Sequence, residues 1–161
     1  MAKGRVVWQA INLEETGKVL ETSSLVIVEI HPTLAKLLVS HPRMRGPLKG
    51  FGIRTVFLSP LYPRELDQLS RSFASRQEAL AAVMLHKLVY RSLQQGKILT
   101  LEEFEDLRAR ALKAFEEVEM ASRYTDIIVN HDGEDSPNWR FTPPLGEAGQ
   151  TLRRFTEIIN A

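Results

Sequence analysis

In the stretch DIIVNHDGEDSPNW, Asp126 to Trp139, three apolar residues run straight into a crowd of polar ones: Asn130, His131, Asp132, Glu134 and Asp135, with Gly133 among them. His131, Asp132 and Glu134 are metal-ligand types, and a metal-dependent hydrolase could be built on them. A solvated loop explains the same residues, because neighbours in a loop need not converge on one ion. Cysteine is absent, so thiolate chemistry and disulfides are excluded. The histidines His31, His41, His86 and His131 are scattered without H-E-x-x-H spacing, and no G-x-S-x-G elbow is present.

Placement relative to strands is more informative. In open parallel α/β sheets, ligands bind outside the carboxyl ends of the strands. Two apolar runs here exit into polar residues: Glu29 and His31 after one, and Asn130, His131 and Asp132 after another. A strand-closing carboxylate is where phosphotransferases hold Mg²⁺, although Glu29 could equally cap the following turn. Arginines form a third group, with Arg71 and Arg76 before a long helical stretch and Arg108 and Arg110 on the next one. A guanidinium fork suits phosphate oxygens, while arginine on a helix is also ordinary solvated surface.

The elements that must position these groups follow from patterning. SLVIVEI (Ser24–Ile30), IRTVFLS (Ile53–Ser59) and DIIVN (Asp126–Asn130) are continuous β-branched runs, which predict strands of a parallel sheet covered on both faces. RVVWQAI at the N-terminus is a weaker strand candidate. Helices are expected in NLEETGKVLETSS, in HPTLAKLLVSHP up to Pro42, after Pro63, from Arg76 to Gln95, after Thr100, and in GEAGQTLRRFTEIINA. Thr100 with Glu103 three residues on is a capping box, and Leu101, Phe104, Leu107, Ala111, Phe115 and Val118 mark the inner face of that helix. RMRGPLKGFG and SPNWRFTPPLGEAG predict loops. Strands alternating with helices give an α/β fold, a parallel sheet flanked by helices.

The 161 residues suffice for one domain with a real core. A net charge of +1 supplies no global field for nucleic acid. No apolar run approaches the ~20 residues a membrane helix needs, and MAKGRVVWQA lacks the features of a signal peptide. The expectation is a soluble cytoplasmic protein with neither nucleic acid nor membrane as partner.

In order, LVIVEIHPTLAKLL, TVFLSPLYPRELDQLSR and LRARALKAFEEVEMASRYTDIIVNHD resemble the second half of guanylate kinases, from about Leu13 onward. The resemblance implies a guanylate-kinase-like, P-loop kinase-like fold, one domain over 1–161 that is incomplete at its N-terminus. It implies ATP-dependent phosphorylation of a nucleoside monophosphate such as GMP, with Mg²⁺. Glu29 falls at the family's first acid near Mg²⁺ and the phosphates, and His31 at the second acid that holds the guanine nucleotide, so both are substrate-side positions. Arg71 and Arg76 resemble the lid arginines that reach the donor phosphates, and Arg110 the helix arginine that does the same. Asn130 and Asp132 match the edge against the adenine of ATP. An extra helix between Arg76 and Lys97, bearing Lys87 and Arg91, enlarges the lid region at about 71–99.

One part of the family pattern is missing. The nearest string to G-x-x-x-x-G-K-[ST] is NLEETGKV, Asn12 to Val19, in which Asn12 stands for the first glycine and Val19 for the hydroxyl residue. Too few residues separate Lys18 from Ser24 for a parallel crossover, so this segment is expected to be a short helix. In the family's sheet the phosphate-loop strand lies between the strands matching Leu25–Ile30 and Thr55–Ser59. Without it both edges lack a partner. The expectations are a truncated chain, a protein partner or self-association that completes the sheet, or RVVWQAI in the vacant slot. Alone, the chain is expected to lack kinase activity. The rival expectation is a non-catalytic interaction module of the same architecture.

Overall fold

The computed structural model describes residues 10–161, which fall into two compact units meeting in sequence at Thr55 and Val56.

In the first unit, α1 (Leu13–Thr22) is the helix expected from NLEETGKVLETSS. Asn12 starts it, its Oδ1 accepting the Glu15 N–H at 3.2 Å. Helix α2 (Pro32–Ser40) begins with Pro32 in its first turn, and His31 Nδ1 accepts the Thr33 N–H at 3.3 Å. Ala35 and Leu38 are its buried residues. RMRGPLKGFG, expected as a loop, instead forms α3 (Pro42–Arg45) and a 3₁₀ turn (Gly46–Leu48). Pro42 sits in the first turn of α3, where a missing N–H costs nothing.

The strand expected at Ser24–Ile30 does not form. These residues are extended, but among the described residues no ladder includes them, and Leu25, Ile27 and Val28 stand 43–62% exposed. A strand exists only through hydrogen bonds to a neighbour, and β-branched composition cannot replace one. Of RVVWQAI, residues 5–9 lie outside the described residues, and Ala10 and Ile11 have no regular structure.

The second unit is mixed α/β. Strand β1 (Val56–Ser59) pairs in parallel with β2 (Asp126–Val129), from Val56 opposite Asp126 to Ser59 opposite Val129. Both strands are shorter than their apolar runs. The N–H of Asn130 reaches the Ser59 carbonyl at 2.9 Å and prolongs the ladder by one bond. Between the strands come α4 (Pro63–Ser70), α5 (Arg76–Gln94) and α6 (Leu101–Glu119), and α7 (Gly146–Ile159) follows β2.

Helices α4, α5 and α6 start where local chemistry predicts. Pro63 opens α4, and Glu65 Oε2 reaches back to the Tyr62 N–H at 2.7 Å. Ser75 caps α5, and Thr100 with Glu103 caps α6 as a reciprocal box. The core gathers Leu66 of α4 with Ala79 and Leu80 of α5, and Leu61, Met84, Phe115 and Val118 pack around them. Helix α5, the extra helix of the sequence, is thus a core element of this unit. The inner face of α6 is shorter than the pattern implies: Ala111 and Ala114 are buried, whereas Leu101 in the first turn is 79% exposed.

Coverage of the sheet is uneven. Ile128 and Val129 are consecutive and both buried, so both faces are covered at the end of β2. Leu58 of β1 is 59% exposed. Helix α7 holds its place partly through Thr151, whose buried hydroxyl donates to the Val129 carbonyl at 3.1 Å.

Candidate functional site

The polar residues beyond β2 form a structured turn. Gly133 adopts φ +71°, a left-handed conformation natural to glycine, and its N–H donates to Asn130 Oδ1 at 3.1 Å. Its carbonyl accepts the indole N–H of Trp139 at 2.7 Å. Asp132 Oδ2 accepts the Ala148 N–H at 2.9 Å and Asn138 Nδ2 at 2.8 Å, which ties the turn to the first turn of α7. A carboxylate at a helix N-terminus satisfies an orphan donor and suits the helix dipole. Asp132→Ala is expected to cost about 1.5–3 kcal/mol, the worth of a hydrogen bond to a charged group. Asp132→Asn, which keeps an acceptor oxygen, should recover part of that loss in urea denaturation.

The next residue back is the centre of the cluster. His131 Nδ1 lies 2.9 Å from Glu147 Oε2 on α7, and His131 Nε2 lies 2.8 Å from Glu65 Oε2 on α4. The Tyr62 ring stands beside the imidazole, 5.7 Å between centroids. Partial burial disfavours the charged imidazole, but hydrogen bonds to Glu147 and Glu65 and their negative charges outweigh it and raise the His131 pKa. At Glu65 burial likewise opposes ionisation. The His131 bond, the Tyr62 N–H and the charges of His131 and Arg64 prevail and lower its pKa. His131 and Glu65 line an open cleft of about 420 Å³ with Leu61, Gln68, Leu69 and Ser72.

Lys87 completes the strand-end region. Its ammonium, half-buried, donates to the Asn130 carbonyl at 3.0 Å and to the Pro60 carbonyl at 3.4 Å, bridging the exits of both strands. Burial lowers its pKa, opposed by the Asp132 charge.

The metal reading of this stretch does not survive. His131 turns to Glu65 and Glu147, Asp132 to α7, and Glu134 pairs with Arg91, which also holds Asp135 at 3.0 Å. Each side chain is drawn to a different neighbour, and no group of three or more His, Asp or Glu among the described residues is placed to hold a metal ion.

The other sequence candidates are dispersed. Glu29 is exposed in the extended segment of the first unit, and His31 caps α2 there. In the second unit Arg71 is exposed at the end of α4, Arg110 is exposed on α6, and Arg76 pairs with Asp67 at 3.2 Å. Arg76 also lines a second cleft of about 240 Å³ with Tyr62, Leu66 and Ile127. Of the predicted residues, the structure brings Asn130 and Asp132 together in one turn. Sequence reasoning missed Glu65 and Glu147; each lies in the first turn of its helix, and nothing in the letters aims either at His131. No family model, no curated protein and no solved structure matches the chain.

Proposed function

We propose that this chain contributes the later part of a guanylate-kinase-like domain, which in a complete enzyme transfers a phosphoryl group from ATP to a nucleoside monophosphate such as GMP. The supporting observation is the parallel pairing of β1 with β2 in the second unit, the neighbours that family's strand order requires; in the first unit, the apolar segment at Leu25–Ile30 pairs with nothing described. That combination suits a sheet whose middle strand, the one that carries the phosphate loop, comes from elsewhere.

Catalysis of this kind is positioning plus neutralisation of phosphate charge, with Mg²⁺ bridging the phosphates. Mg²⁺ needs only one or two protein carboxylates, so Glu29, exposed and acidic, fits without a dedicated cage. Arg71 and Arg110 are exposed and suited to meet phosphate oxygens, and Arg76 would exchange Asp67 for them. Asn130 and Asp132 spend one oxygen each on the turn, which leaves the Asn130 amide NH₂ for a base edge. His31 stands where the resemblance places an acid and would meet the guanine nucleotide as a hydrogen-bonding imidazole.

Purified chain with ATP, GMP and Mg²⁺ in a coupled assay is expected to show no turnover. Adding the phosphate-loop half of a guanylate kinase as a separate fragment should restore turnover, and Arg110→Ala should abolish it again. Turnover by the chain alone would overturn the need for a supplied loop. Failure of the mixture to bind nucleotide would overturn the kinase reading. It would favour a non-catalytic interaction module, to which the exposed apolar side chains at Leu25, Ile27 and Val28 also lend support.

A further inference from the structure

The cluster at His131 goes unused by the proposed phosphoryl transfer, and its geometry has a consequence of its own. A neutral imidazole carries one N–H and one lone pair, so it donates to a single acceptor. Here both ring nitrogens face carboxylate oxygens, 2.9 Å away on Glu147 and 2.8 Å away on Glu65. Only imidazolium satisfies both contacts. We infer that His131 is a proton-operated clasp that joins α4 to α7 at the carboxyl end of the sheet and frees the start of α7 from α4 when it loses its proton.

The two jaws are unequal. Glu65 Oε2 is also fixed by the Tyr62 N–H at 2.7 Å, as part of the start of α4. Glu147 is more exposed, and its other oxygen accepts the Gln150 amide at 3.3 Å. A neutral imidazole therefore keeps its remaining proton on Nε2, towards Glu65, and turns a lone pair towards Glu147. Water reaches Glu147 and replaces that bond, so α7 is the moving side.

The charges around the ring are mixed, and most favour the proton. Glu65 contributes a negative charge from α4 and Glu147 from α7, and Asp132 adds another on the same turn. Opposing them are Arg64, whose guanidinium lies 5.4 Å from the Tyr62 ring, and Lys87 of α5, held on the Asn130 carbonyl. The raised His131 pKa agrees with the balance of these charges. A proton held more tightly in the folded state stabilises it fully below the unfolded value near 6.5 and ceases to do so as pH rises through the folded value. Because Glu65 and His131 also line the cleft of about 420 Å³, opening the clasp makes the cleft wall more negative.

The test follows the ring of His131 by NMR through a pH titration. His131 is expected to titrate above the ordinary histidine value and to shift downward in Glu147→Gln and in Glu65→Gln. Amide exchange at Ala148 and Gly149, corrected for its intrinsic pH dependence, should accelerate as His131 deprotonates. Tm should fall over the same range in the wild type and stay flat in His131→Gln. If His131→Gln fails to fold, Glu147→Gln at a half-buried position reads the same coupling. Titration of His131 at or below the ordinary value, or an unchanged Tm-against-pH slope in these variants, would overturn the clasp.

Discussion

Leu80→Ala is expected to destabilise the second unit by about 2–5 kcal/mol, the range for deleting a fully buried leucine side chain. Leu80 is completely shielded from water on α5 and packs with Leu66 and Ala79 at the centre of the core. The residues packed around that cluster come from three parts of the chain, Leu61 before α4, Met84 on α5 itself, and Phe115 and Val118 on α6, so none can fill the vacancy without moving its own element. Against a typical total stability of about 5–15 kcal/mol, such a loss is a large share of what keeps the unit folded. Urea denaturation should show a lower midpoint at an unchanged slope. The result also bears on the region 71–99. A helix that swung free as a lid would lose little when Leu80 is cut back, whereas a core helix loses the full amount. A Leu80→Ala protein as stable as the wild type would show that α5 does not hold the fold.

Much of the local structure was legible in the sequence, for reasons that are local. Thr100 with Glu103, and Pro63, announce helix starts because their capping and first-turn chemistry lies within one turn. The pairing of Val56–Ser59 with Asp126–Val129 was legible as two apolar runs, though β1 begins later than its run and β2 ends one residue earlier. Ser24–Ile30 carries an equally strong strand signal and forms no strand, because composition states a preference for pairing and cannot supply the partner. RMRGPLKGFG was misread in the opposite sense: its glycines suggested a loop, while Pro42 and Pro47 fall where short helical turns accept proline.

The candidate site was legible by half. The crowding of polar residues after Val129 pointed to the turn that holds the His131 cluster, but their targets did not follow from proximity in sequence. Glu65 lies 66 residues from His131, and Glu147 lies 16 residues away. Asp132 looked like a ligand and is a helix cap; Glu134 looked like a ligand and is an ion-pair partner of Arg91. A carboxylate's role depends on which donor reaches it first, and that is decided by tertiary packing. Lys87 illustrates the same point, since on a helical wheel it is one more solvated cation, yet it bridges the two strand exits.

Gly149→Ala is expected to be the most disruptive single methyl that can be added to this region. Gly149 is buried in the first turn of α7, where helix propensity alone would favour alanine by about 1 kcal/mol. A Cβ there would be driven into the carbonyl oxygen of Pro144 and would stand 3.3 Å from its carbonyl carbon. That obstacle is backbone, so no side-chain rotation relieves it, and overpacking of this kind costs about 1–3 kcal/mol or more. The propensity gain is too small to win. The strain would be relieved by moving the start of α7 away from residues 143–145, and that turn holds both Ala148, bonded to Asp132, and Glu147, bonded to His131. Two readouts are therefore expected to change together: the unfolding midpoint falls, and the His131 pKa drops towards its ordinary value as Glu147 withdraws. A loss of stability with an unchanged His131 titration would mean that the helix yields elsewhere along its length. A neutral or stabilising Gly149→Ala would mean that the close approach to Pro144 is absent in solution, and the placement of α7 over the strand exit would have to be redrawn.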